Sequence, residues 1–268
     1  MKTGAEIRLL EKNWKQLSPA LKSYLKTENP DRLHQFRVQV KKIKSLLILY
    51  TISKKNKNVL KLFEPVKKIF RHAGIIRDSY IHLQLADQFQ VKEPAFHKAQ
   101  TDLMFKEMAR FQKNGKKYDQ ILDKTLNKIK TELSGISNAQ IADFYEAELN
   151  SVVLAFAKRE FNSNMHDCRK RLKNLLYNQK LADKSMKGKL KLNLPYLDQV
   201  QEQLGQWHDS VLARDLFSGQ MKEEQQAVDK LNLQLKNLEE GITSISADFW
   251  QKAVLKNSSK QLTEKPLS

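Results

Sequence analysis

The stretch His34-Gln35-Phe36-Arg37-Val38-Gln39-Val40-Lys41-Lys42-Ile43-Lys44 is written a second time, in altered form, as His166-Asp167-Cys168-Arg169-Lys170-Arg171-Leu172-Lys173. In both copies an arginine follows the histidine by three positions and a lysine follows it by seven. On a helix of about 3.6 residues per turn these side chains form one cationic row. Lys44 extends the row in the first copy. One residue earlier runs an apolar seam: Leu33, Phe36, Val40, Ile43, Leu47 and Tyr50 in the first copy, Met165, Cys168, Leu172 and Leu175 in the second. This spacing predicts two amphipathic helices that bury the seam. The stems of the basic row would pack on apolar neighbours, and the heads would project into a shared groove.

A second block also recurs. Gly74-Ile75-Ile76-Arg77-Asp78 reappears as Gly205-Gln206-Trp207-His208-Asp209, 40 residues after His34 and 39 after His166. Two signatures repeated at nearly the same separation predict an internal duplication with a period of about 131 residues. The expected halves are 1–134 and 135–256, each beginning with a helix (about 3–26 and 139–158) ahead of its basic row, with 257–268 as a polar tail. Asn29-Pro30 stops the first helix, Asp31 is the expected N-cap of the next, and Lys54-Lys55-Asn56-Lys57 reads as a solvated turn. Asp78 and Asp209 are expected at helix starts or beside a neighbouring cation.

The composition agrees with helices throughout. Only 8 Gly and 6 Pro occur in 268 residues, and 40% of the chain is hydrophobic, enough for a core in one large or two moderate domains. Strand-like alternation is missing, so the predicted fold class is all-α. The formal charge is +18, and from Arg32 to Arg77 thirteen Lys and Arg stand against one acid, Glu64. Such concentration points to a polyanionic partner: nucleic acid, an anionic membrane or a phosphate polymer. No apolar run approaches the roughly 20 residues needed to span a bilayer, and Glu6, Arg8 and Glu11 interrupt any signal-like core. The single cysteine, Cys168, suits a reducing compartment and reads as a small core residue on the seam. A cytoplasmic protein is expected; the oligomeric state is left open.

Four blocks in this order and spacing resemble the CHAD domain, the conserved-histidine α-helical domain, over nearly the whole chain. The resemblance implies an all-α fold of two pseudo-symmetric four-helix bundles. It further implies a basic groove or pore between them that binds inorganic polyphosphate, with no established catalysis, and a non-enzymatic protein is expected. Association with polyphosphate granules would follow. No β-rich segment of the CYTH triphosphate-tunnel kind, often fused to this family, is present, so a stand-alone form is expected. Lysines stand at Lys41, Lys42 and Lys44 where the family commonly has arginine, which keeps charge but gives up forked contact with phosphate. The second copy has Asn174 and Leu176 where the first has Lys42 and Lys44, and places extra charge at Lys170 and Arg171 instead.

The expected binding residues are therefore His34, Arg37, Lys41, Lys42, Lys44 and Arg77 in the first half and His166, Arg169, Lys170, Arg171, Lys173 and His208 in the second. Arg37, Arg77 and Arg169 can fork two oxygens each, and the lysines act as mobile point charges. The histidines donate through ring nitrogens and gain charge beside a polyanion, so binding is expected to strengthen as pH falls toward about 6. A solvated helix face is the plain alternative, but these rows lack the acidic partners exposed helices carry. His72, His82 and His97 have no counterpart in the other half and read as incidental. Gly74 and Gly205 read as sites of close approach, because no phosphate-cradling loop sequence surrounds them.

Two other functions compete. His166-Asp167 and His208-Asp209 are similar to the dipeptide of HD-type metal phosphohydrolases, although Arg169, Lys170, Arg171 and Lys173 would repel the metal. A general nucleic-acid binder is the other, and weak, salt-sensitive binding to RNA or DNA is expected of any such surface. No nucleic-acid recognition motif accompanies it.

Overall fold

The computed structural model describes residues 3–185, 191–217 and 222–255. The expected tail 257–268 and most of a loop expected at 185–188 lie outside the described residues.

The described residues are predominantly helical. In order come α1 (Thr3–Trp14), α2 (Leu17–Thr27), α3 (Pro30–Tyr50), a 3-10 turn (Lys54–Asn56), α4 (Val59–Leu62), α5 (Glu64–Phe89), α6 (Pro94–Lys113) and α7 (Gly115–Glu132). Then follow α8 (Asn138–Lys158), α9 (Ser163–Tyr177), α10 (Gln179–Ser185), α11 (Leu194–Phe217), α12 (Lys222–Ser246) and α13 (Phe249–Ala253). Two-residue strands β1 (Lys191–Leu192) and β2 (Val254–Leu255) form a short antiparallel pair, Lys191 opposite Leu255.

The predicted first helix is two. Pro19 has no N–H to offer the carbonyl of Lys15 and its ring crowds that turn, so the helix breaks at Lys15-Gln16 and restarts at Leu17. The N-cap of α3 is Asn29 rather than Asp31: its side chain accepts from the Asp31 N–H, and Pro30 takes the first helical position, where no N–H is needed. Pro65 likewise sits in the first turn of α5 and so sets its start without kinking it. That helix continues through Gly74 to Phe89, and α11 continues through Gly205. Asp78 and Asp209 therefore lie inside helices, not at their starts.

Two compact units arise. One comprises Met1–Ile136 with Asp209–Lys236, the other Ser137–His208 with Asn237–Ser268. In the first, Leu33, Phe36, Val40, Ile43, Leu47 and Tyr50 of α3 are all buried, together with Leu10, Trp14, Leu17, Leu21 and Tyr24 of α1 and α2. Burying such side chains stabilises by about 1.5–3 kcal/mol each, which is why the seam decides how α3 is rotated about its axis. The late segment packs into this unit through Ala213, Phe217, Ala227 and Leu231 against Ala86 and Val91. In the second unit Met165, Cys168, Leu172 and Leu175 are buried. The Tyr145 hydroxyl donates to the Leu175 carbonyl at 2.8 Å and ties α8 to α9.

Candidate anion-binding site

With the seam buried, the basic row of α3 takes the adjacent strip of surface. His34, Lys41 and Lys44 are exposed, and Arg37 is half-buried. The Arg37 guanidinium lies over the Phe70 ring, 4.5 Å from its centre, and Nη1 donates to the Phe70 carbonyl at 3.2 Å. Its Nη2 stands 4.0 Å from the Asp78 carboxylate. What lets α5 come this close is Gly74: a β-carbon there would stand 2.5 Å from Arg37 Nη1. One turn on, Arg77 adds its charge to the same cluster. Burial first, then Arg77, Lys41 and Arg37, lower the pKa of His34, while Asp31 opposes them. The Nε of Arg77 is buried and has no hydrogen-bond partner.

In the second unit an arginine again lies against a helix glycine. Arg169 lies against Gly205, where a β-carbon would be 2.9 Å from Nε and 3.1 Å from Nη2. His208, one turn beyond Gly205, takes the place of Arg77 and stacks on His166, the ring centres 3.7 Å apart and the planes 30° apart. Burial, then His208, Lys170 and Arg169, pull the pKa of His166 down to about 4. The Nδ1 of His166 and the Nε of Arg169 are buried without hydrogen-bond partners. Trp207 faces the core instead, its Nε1 donating to Glu239 at 3.1 Å.

In the free protein these depressions keep both rings neutral at neutral pH, with His166 charging only close to 4.

The remaining predicted residues divide. Lys173 continues the row of α9 half-buried, and Lys42 of α3 is half-buried off its row. Lys170 donates to Asp167 at 2.9 Å, and Arg171 to Glu148 of α8 at 2.6 Å. Both are already balanced by acids, which reduces what they offer an external anion. Among the described residues no group of three or more His, Cys, Asp or Glu is gathered as a cation site. No described helix is long and apolar enough to cross a membrane.

The three other histidines hold helices together. His72 of α5 brings Nδ1 to 2.6 Å from the Tyr118 hydroxyl of α7 and Nε2 to 3.1 Å from the Glu107 carboxylate of α6, which Arg110 also contacts. His82 meets Gln100 at 3.1 Å, and His97 the Val91 carbonyl at 2.9 Å. The His72 network was missed in the sequence because its members lie far apart in the chain.

The family model for the CHAD domain matches residues 8–218. Among solved structures, the crystal structure of the CHAD domain from the plant Ricinus communis is similar in fold, with a TM-score of 0.62 at 17% sequence identity, covering 94% of this chain and 93% of that one. No curated protein matches the sequence. The conserved-histidine blocks are thus met by a family model over well more than half the sequence and by an all-α fold of the same kind, and the chain belongs to the CHAD domain family.

Proposed function

We propose that the chain binds inorganic polyphosphate through His34, Arg37, Lys41, Lys44 and Arg77 in one unit and His166, Arg169, Lys173 and His208 in the other, without catalysing its turnover. One observation carries the reading: the same arginine-on-glycine, imidazole-beside-cation arrangement is built in both units, with buried donor nitrogens left unpartnered in each. Burial first, and then the neighbouring positive charges, lower the imidazole pKa values; assembling those charges costs stability, and an anion of high charge density relieves that cost. Polyphosphate offers only oxygen acceptors along a line, which is what a row of guanidinium, ammonium and imidazole donors satisfies. Lys42, Lys170 and Arg171 are placed at the margin of this set, the last two because of their acidic partners. A cytoplasmic role at phosphate granules is consistent with such a ligand.

The deciding experiment is equilibrium binding of polyphosphate by calorimetry at about 0.15 M salt, with duplex DNA as competitor. Arg37→Glu and Arg169→Glu, singly and combined, are compared with Lys54→Glu combined with Lys57→Glu. The reading expects polyphosphate to survive excess DNA, the arginine pair to lose far more affinity than the lysine pair, and each lost contact to reduce the log–log salt slope by about 0.7–0.9. Equal losses from both pairs would leave bulk charge as the whole explanation. Orthophosphate release that depends on added Mg2+ or Mn2+ and stops with chelator would overturn the non-enzymatic part.

A further inference from the structure

Beside the basic cluster of the first unit, α2, α3, α5 and α6 enclose a hollow of about 130 Å3 whose lining includes Tyr24, Arg77, Tyr80, Met104, Phe105 and Met108. Its lining includes a buried donor with no hydrogen-bond partner among the described residues. Tyr24 is 1% exposed, and its hydroxyl has no hydrogen-bond partner. Burial, and then Glu28, push its pKa to about 12, so it keeps its proton. An unpartnered buried hydroxyl is destabilising, and a core that needed only packing would carry phenylalanine here.

The wall is equally unusual. Phe105 is 59% exposed, although it lies between Met104 and Met108 at the mouth of the hollow. A large aromatic ring so exposed to water beside an apolar hollow offers a face on which a flat ligand can stack. The rim bears Glu28, whose carboxylate accepts one hydrogen bond from Gln112 and keeps further acceptor sites. The remaining side is Arg77, held over the Tyr80 ring at 5.1 Å. Its charge reaches both His34 and Arg37, which joins the hollow to the phosphate cluster.

A ligand that satisfies every one of these groups is flat and aromatic on one end, with a ring acceptor for Tyr24 and an amino donor for Glu28, and anionic on the other. We propose that this hollow is the base subsite for a nucleoside polyphosphate carrying an amino-substituted base, its phosphates lying on Arg77, His34 and Arg37. The inference rests on the anion-binding reading above and narrows it: the cluster takes a phosphate chain whose end bears an aromatic base.

Calorimetry on the full chain tests it, with adenosine triphosphate, inorganic tripolyphosphate and an alkyl triphosphate titrated without metal. Stacking of one base on an aromatic side chain is worth about 1–3 kcal/mol, so the adenosine compound is expected to bind about tenfold tighter than tripolyphosphate. Phe105→Ala and Tyr24→Phe should each remove most of that increment and leave tripolyphosphate affinity within about twofold, which also shows that both variants fold. Equal affinity for adenosine triphosphate and tripolyphosphate overturns the subsite and leaves the anion site standing. An equal gain from the alkyl compound also overturns it, because an apolar tail then suffices. Binding of adenosine triphosphate with none of long-chain polyphosphate supports the subsite and sinks the polyphosphate reading instead.

Discussion

Arg37 occupies the space that a β-carbon on Gly74 would fill: its Nη1 lies 2.5 Å from that position, with Cζ and Nη2 at 3.6 and 3.8 Å. Arg169 stands in the same relation to Gly205. Both glycines are buried inside long helices, where glycine is less favourable than alanine by about 0.8–1.0 kcal/mol. What opposes that preference is a guanidinium pressed onto the bare backbone, with its plane positioned by Phe70 in the first unit. The glycines therefore place donors and contribute little to helix stability.

Gly74→Ala and Gly205→Ala separate these roles. The added methyl group raises helix propensity, while the guanidinium, at the end of a flexible chain, swings aside. Thermal melts should show stability unchanged or slightly raised. Polyphosphate affinity should fall about tenfold for each, the scale of one charge-assisted hydrogen bond of about 1.5–3 kcal/mol. The effect should be sharper at Gly205, where Nε, Nη2 and Cζ all lie within 3.4 Å of the new atom. Weaker binding accompanied by a large drop in melting temperature would mean that the glycines serve packing.

His166 makes the pH dependence specific. Its folded pKa of about 4 lies below the ordinary 6.5, so as pH falls through that interval the unfolded chain takes up the proton first and the folded state loses stability. Its contribution is present above about 6.5 and gone below about 4. A bound polyanion raises the folded pKa, so binding takes up a proton and strengthens across the same interval. His166→Gln should flatten both trends. Melting temperatures from pH 7 to 4, and heats of binding in buffers of different ionisation enthalpy, read the two effects; parallel curves for variant and parent would remove His166 from the linkage.

How much of this was legible depends on distance along the chain. The seams of α3 and α9 were readable because a 3.6-residue period and apolar side chains together state which side is buried, and every seam residue named is buried. The rows beside them followed at once. Pro19 was readable but overlooked, since its ring forbids the turn that an apolar face alone would continue. The balancing of Arg171 by Glu148, 23 residues earlier, was not readable, because no local pattern announces which acid a helix surface will meet. Neither was the packing of 209–236 into the first unit, because no local pattern states which core the apolar face of a late helix joins. Of the site, the donors were visible; Phe105 and Tyr24 were not, because exposure of one and orphaning of the other exist only in three dimensions.

Cys168 should be inert while the protein is folded. It is 1% exposed on the α9 seam, and burial raises its thiol pKa to about 11, leaving little thiolate at neutral pH. Iodoacetamide at pH 7.5 is expected to label it only after denaturant unfolds the chain, as mass spectrometry would read. Labelling within minutes under native conditions would show that α9 opens readily.

The turn at Lys54-Lys55-Asn56-Lys57 is solvated at three of its four positions; Asn56 is 1% exposed. Its amide donates to the carbonyls of Tyr50 at 3.1 Å and Ser134 at 2.9 Å, and its carbonyl accepts from the Ser134 N–H at 2.8 Å. One side chain thus closes the end of α3 and fixes the backbone 78 residues later, where α7 has ended. Removing it strands polar backbone atoms in a dry site, and Asn56→Ala should cost about 2–3 kcal/mol. Lys54→Ala and Lys57→Ala should change stability by no more than about 0.5 kcal/mol. Urea melts of the three variants decide it. Because the side-chain bonds of Asn56 go to Tyr50 and Ser134, polyphosphate affinity measured well below the melting transition should remain that of the parent. A variant that melts normally would mean that Ser134 finds other partners, and one that folds but fails to bind would mean that the end of α3 helps set the position of Lys41 and Lys44.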